Sequence, residues 1–132
     1  MREFTVKTER RTQLVDVTRQ VQETLGPLDD AAAALVYVPH TTAGLTINEH
    51  ADPAVARDFE TALERIVSEE WTWQHVEEGE ENAPTHIRAA FMGTQALVPV
   101  RDGRLALGTW QGIFLCEFDG PRTRCVYVTA LS

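Results

Sequence analysis

The residues whose types could do chemistry are four histidines and one glutamate near the end of the chain. His40, His50, His75 and His86 lie in polar, turn-rich segments and not on apolar stripes. A neutral imidazole ligates Zn²⁺ and other borderline cations and titrates near neutrality, so this placement favours a site over a core role. His40 follows Pro39 at the end of an apolar run and precedes Thr41 and Thr42, where a side chain can face a cleft. His75 and His86 bracket an acidic stretch eleven residues apart, a spacing that matches neither a zinc finger nor H-E-x-x-H. Spacing alone therefore leaves metal ligands and solvated surface histidines both open. Thr46, Asn48, Glu49 and Asp52 form a second polar cluster. Asn48 and Glu49 are expected to line the cleft of His40, and Asp52 reads as a helix cap.

The tract from Gly108 to Phe118 yields to a period of two. Trp110, Gly112, Phe114, Cys116 and Phe118 share one face, and Gln111, Ile113, Leu115 and Glu117 the other. A carboxylate beside Ile113 and Leu115 is desolvated, which raises its pKa unless it is paired. If this tract forms a hairpin with the strand after Asp119-Gly120-Pro121, Glu117 falls opposite Arg124 and Cys116 opposite Cys125. An ion pair and a catalytic or supporting role then stand as alternatives for Glu117, as do a disulfide and two small core residues for the cysteines. Arg101, Arg104, Arg122 and Arg124 gather near two turns, as a local anion site or as solvated strand ends.

These residues need elements to hold them. Phe4 and Val6, then Leu14 to Asp16, predict two short strands around a turn at Glu9–Arg11. Val17, Val21 and Leu25 recur every fourth residue before Gly26-Pro27, a short helix. Leu35–Val38 and Gly44–Asn48 read as strands. Asp52-Pro53 opens a helix from about 52 to 69 carrying Val55, Phe59, Ala62, Leu63 and Ile66 on one stripe. Glu69 to Asn82 is an acidic loop, and His86–Met92 a turn or two of helix stopped by Gly93. Two hairpins are expected after that, one at Asp102-Gly103 and one at Asp119-Gly120-Pro121. Seven or eight strands and two or three helices, not alternating, predict one α+β domain over 1–132 with a largely antiparallel sheet.

Composition sets the outer bounds. At 132 residues a barrel of about 250 residues is excluded. A net charge of −8 offers no diffuse attraction to nucleic acid or anionic lipid, so any anion must be bound locally. The longest apolar run, Ala31–Val38, is far short of the roughly 20 residues of a membrane span. With no apolar leader and only two cysteines, the chain reads as cytoplasmic, without a disulfide framework.

One family joins these motifs. His40-Thr-Thr-Ala-Gly-Leu-Thr-Ile-Asn-Glu49, Ala51–Val55, His75–Gly79, Asn82-Ala-Pro-Thr-His86-Ile-Arg88, Gly103-Arg-Leu105 and Gly108–Glu117 together resemble the YjbQ-like family of secondary thiamine-phosphate synthases. The resemblance runs from the first strand to the C-terminus. It implies a compact α+β fold, a homotrimer, and a site in which His40, His75 and His86 hold a divalent metal, Zn²⁺ foremost. It further implies catalytic roles for Glu117 and His40, with Thr42, Asn48 and Arg124 hydrogen-bonding a phosphorylated substrate. The implied reaction joins a pyrimidine diphosphate to a thiazole phosphate with release of pyrophosphate. A metal-dependent phosphate-ester hydrolase and a non-catalytic trimeric metal- or anion-binding module are the alternatives. The sequence departs from the family at Glu81-Asn82, where two acidic residues are common, and His50 has no family equivalent.

Overall fold

The computed structural model describes residues 1–75 and 82–132. Its elements run β1 (Arg2–Lys7), β2 (Gln13–Asp16), α1 (Thr18–Leu25), β3 (Ala33–Tyr37), β4 (Ala43–Glu49), α2 (Pro53–Ile66), α3 (Ala83–Met92), β5 (Gln95–Arg101), β6 (Arg104–Leu105), β7 (Gln111–Glu117) and β8 (Thr123–Leu131). The strands form two antiparallel sheets, one in the order β1-β8-β3-β5-β6 and one in the order β2-β7-β4.

Strand periodicity builds the core. The alternating residues of β7 separate into two apolar clusters. Ile113 and Leu115 join Val36, Val98, Val126 and Val128 of the larger sheet, together with Val17, Val21 and Leu25 from the start and body of α1. Phe114, Cys116 and Phe118 point the other way, onto Leu63 of α2 and Ala89 of α3. The smaller sheet is thus sandwiched between the larger sheet and a layer of two helices. β7 is its middle strand and is buried from Gly112 to Glu117.

Each helix has an identifiable anchor. The Asp52 carboxylate accepts from the Ala54 amide at 2.9 Å, which caps α2 as expected. α3 lies against β4 at Gly44, where a Cβ would come within 2.8 Å of the Gly93 carbonyl oxygen. Arg88, about 1% exposed, donates to the carbonyls of Leu63, Glu64 and Val67 at 3.0, 3.2 and 2.6 Å. One guanidinium therefore satisfies the open end of α2 and ties α3 to it.

One expected pairing is corrected, and the two N-terminal strands find separate partners. β1 and β2 do not form a hairpin, since β1 pairs with β8 and β2 with β7. β7 and β8 are likewise not paired, because the chain passes from one sheet to the other at 118–122. The Asp102-Gly103 hairpin forms, with both residues at positive φ (52° and 74°). α3 begins three residues before His86, and α2 ends at Ile66. Of the acidic loop, 76–81 lie outside the described residues, and its described part holds no helix or strand.

Candidate functional site

Six elements bring their ends to one corner of the molecule. The end of β3 delivers His40, the start of β4 delivers Thr42, and the end of β7 delivers Glu117. The start of β8 delivers Arg124, the end of β1 Thr8 and the start of α3 Asn82. Antiparallel registers make this necessary: Ala43 stands opposite Glu117, Lys7 opposite Thr123 and Tyr37 opposite Tyr127.

Glu117 and Arg124 form the centre. Glu117 is fully buried, and its Oε1 accepts from Thr8 Oγ1 at 2.7 Å and from Arg124 Nε at 2.9 Å. Its Oε2 accepts from Arg124 Nη2 and from the amides of Phe118 and Asp119, both at 3.1 Å. Burial alone would raise the Glu117 pKa, but Arg124, then Thr8 and the Asp119 amide, outweigh it and hold the carboxyl below its ordinary range. Arg124 Nη2 also donates to Thr42 Oγ1 at 2.8 Å and to the Thr42 carbonyl at 3.2 Å. The pair foreseen from a hairpin register thus exists, though it spans the two sheets. Glu117, Arg124 and Thr42 are consequently occupied with one another.

His40 stands beside this pair, half-buried. Its Nε2 accepts from the Cys125 amide at 2.8 Å, at the level where β3 has already ended and can offer β8 no ladder carbonyl. Burial, and then the Arg124 charge, lower its pKa, with Glu117 acting against them. The side chains of His75 and His86 meet each other instead. Their ring centroids are 5.1 Å apart and the planes stand at 74°, His75 being exposed and His86 half-buried. Two imidazoles on one tetrahedral Zn²⁺, each nitrogen about 2.0–2.1 Å from the ion, would have their centroids at about this separation. His40 does not fit as the third ligand in this arrangement, because its Nε2 lone pair is taken. Among the described residues, no three of His, Cys, Asp and Glu converge as a metal centre.

Asn48 is placed elsewhere. It lies six residues along β4 from Thr42, about 20 Å at strand rise, and its Oδ1 accepts from the Glu49 amide at 2.8 Å. Asn48 and Glu49 therefore line no cleft with His40. At that far end His50 Nδ1 bonds Asp16 Oδ2 at 2.9 Å, its ring lying over Gly112. Arg101 and Arg104 occupy the β5–β6 hairpin, apart from Arg122 and Arg124. Cys116 and Cys125 are free thiols.

Sequence reasoning assigns no site role to three residues at the corner. Thr8 and Asp119 carried no signal beyond being polar near turns. Asn82 occupies the cap position of α3 but does not cap it. Its Nδ2 donates to Asp119 Oδ2 at 3.4 Å, and among the described residues its buried Oδ1 has no partner. Asp119 also takes Arg122 Nη2 at 2.8 Å and Arg11 Nη1 at 3.5 Å. Arg11 leads to a neighbouring cavity of about 440 Å³ whose lining includes Thr12, Arg65, Ser68, Glu69 and Arg88. That cavity is not lined by His40 or Glu117 and is a separate groove.

The comparisons with known proteins agree with this architecture. YugU of Bacillus subtilis is 45% identical over 126 residues, covering 93% of this chain and 92% of YugU. MJ1081 of Methanocaldococcus jannaschii is 41% identical over 126 residues, covering 95% and 89%. A crystal structure of a YjbQ/UPF0047-family protein from Clostridium acetobutylicum superposes with a TM-score of 0.88 at 41% identity, covering 98% of each chain. The family profile described as UPF0047 protein YjbQ-like matches residues 2–132, and with these relatives it makes the chain a member of that family.

Proposed function

We propose that this chain is a cytoplasmic, phosphate-handling transferase that joins a pyrimidine diphosphate to a thiazole phosphate with release of pyrophosphate, working as a homotrimer. The observation that carries this is the corner itself. A buried guanidinium, Arg124, stands beside His40 there, and Asn82 at the start of α3 reaches the same corner, with His86 one turn further along that helix and His75 packed against it. A divalent cation such as Zn²⁺ at His75 and His86 would supply positive charge to the departing pyrophosphate.

The chain's own residues do the remaining work. Glu117, ionised and saturated with donors, fixes the Arg124 guanidinium and is not free to accept a proton from a substrate. Thr42 accepts from the Nη2 of the same guanidinium through both its hydroxyl and its carbonyl. His40 is held by the backbone of β8. The outward face of the larger sheet supports the trimer, because Leu35, Tyr37, Leu97, Tyr127 and Leu131 share it by register and Leu97 is 63% exposed.

Two measurements test the reading together. Elemental analysis of the purified protein should find a transition metal that His75→Ala and His86→Ala each release. Incubation with the two precursors should yield thiamine phosphate. Metal retained in both variants overturns the ligand pair. Release of phosphate from simple esters without thiamine phosphate identifies a hydrolase, and neither product identifies a binding module.

A further inference from the structure

We infer that His40 works as a neutral hydrogen-bond donor through Nδ1–H toward a substrate oxyanion, and not as a metal ligand. The reason is the Cys125 amide. An N–H group can be accepted only by a nitrogen that carries a lone pair, so Nε2, 2.8 Å from that amide nitrogen, is unprotonated. Turning the ring over would set a carbon, Cε1, against the amide and leave it unsatisfied. In the neutral ring the proton therefore resides on Nδ1.

The donor is also available. Among the described residues Nδ1 makes no hydrogen bond, and His40 is only half-buried. The charges around it are Arg124 and Arg122, with Glu117 already committed to Arg124, Thr8 and two amides. A pre-oriented N–H beside guanidinium groups suits the oxygen of a phosphoryl or carboxylate group. It stabilises developing negative charge without needing a protonated ring. Metal coordination through Nε2 would require the Cys125 amide to lose its partner. Coordination through Nδ1 would require removing a second proton from the ring.

The tautomer stands on the hydrogen bond alone, and only the choice of phosphate as ligand rests on the function proposed above. Nitrogen-15 NMR of the histidines in the full chain at neutral pH tests both. His40 should show a protonated Nδ1 and an unprotonated Nε2. Titration with Zn²⁺ alone should move the nitrogens of His75 and His86 and leave those of His40 in place. Inorganic pyrophosphate should move His40 Nδ1–H, and acetate, titrated separately, should do so only if the site takes carboxylates. His40→Gln, whose amide can both accept and donate, should keep the metal stoichiometry of the unaltered chain while binding pyrophosphate at least tenfold more tightly than His40→Ala. An Nε2–H tautomer, a His40 resonance that follows Zn²⁺, or metal lost from His40→Gln would each overturn the ligand exclusion. A Nδ1–H indifferent to both anions would overturn the donor role.

Discussion

Arg124 and Glu117 are each buried to within a few per cent of completely, and neither could sit there alone. Transfer of a lone charge from water costs several kcal/mol, and the pair is tolerable because every lone pair of the carboxylate has a donor. Arg124→Met should therefore destabilise the fold by about 3–5 kcal/mol in urea denaturation, since it strands a buried carboxylate. Adding Glu117→Gln to that variant should restore much of the loss, and a double variant no better than the single one would show that the charges are not coupled. The sign of the pH dependence follows from the lowered carboxyl pKa. The stabilisation is present above the unfolded value near 4.5 and is lost as pH falls through the folded value. Acid unfolding should accordingly begin below about pH 4.5, and Glu117→Gln should blunt it.

At the level of elements, the three-stranded sheet is clasped at its far end. His50 follows β4 and Asp16 ends β2, with the central strand β7 between them. The imidazole reaches across because Gly112 has no side chain, and a Cβ there would lie 2.4 Å from His50 Nδ1. Gly112→Ala should thus expel the ring and cost about 1–3 kcal/mol by overpacking and the lost bond. If the clasp is the reason, Gly112→Ala combined with His50→Ala should cost clearly less than the sum of the two single changes. Additive losses in thermal unfolding would remove the clasp from the account. This element level is also where the sequence is most unevenly legible. The Asp102-Gly103 turn, the Asp52 cap and the two faces of β7 could be read because each is decided within a few residues. The partners of β7 and β8 could not, because Asp119-Gly120-Pro121 signals a change of direction without saying which sheet the chain enters next. The same limit hid the corner. Four of its residues, His40, Thr42, Glu117 and Arg124, were visible as chemistry, whereas Thr8 and Asn82 become meaningful only once β1 and α3 are placed beside Asp119 and Arg122.

For the molecule as a whole, the outward face of the larger sheet is the feature that most needs a partner. Tyr37 and Tyr127 stack at 6.4 Å on that face, flanked by Leu35, Leu97 and Leu131, while its inner face is closed by the core. Sedimentation equilibrium should find three chains of 14.8 kDa in one particle, and Leu97→Glu should shift it toward the monomer. A monomer at micromolar concentration in the unaltered protein would sink the trimer.

All the ladder bonds of β1 run to β8, and Thr8 at the end of β1 meets Glu117 at a sequence separation of 109. During synthesis β1 emerges well before β8, so its Phe4 and Val6 lack their partner strand until β8 has followed. The corner that joins Thr8, His40, Glu117 and Arg124 cannot be half-built on a growing chain. Whatever chemistry it performs begins only with the arrival of β8.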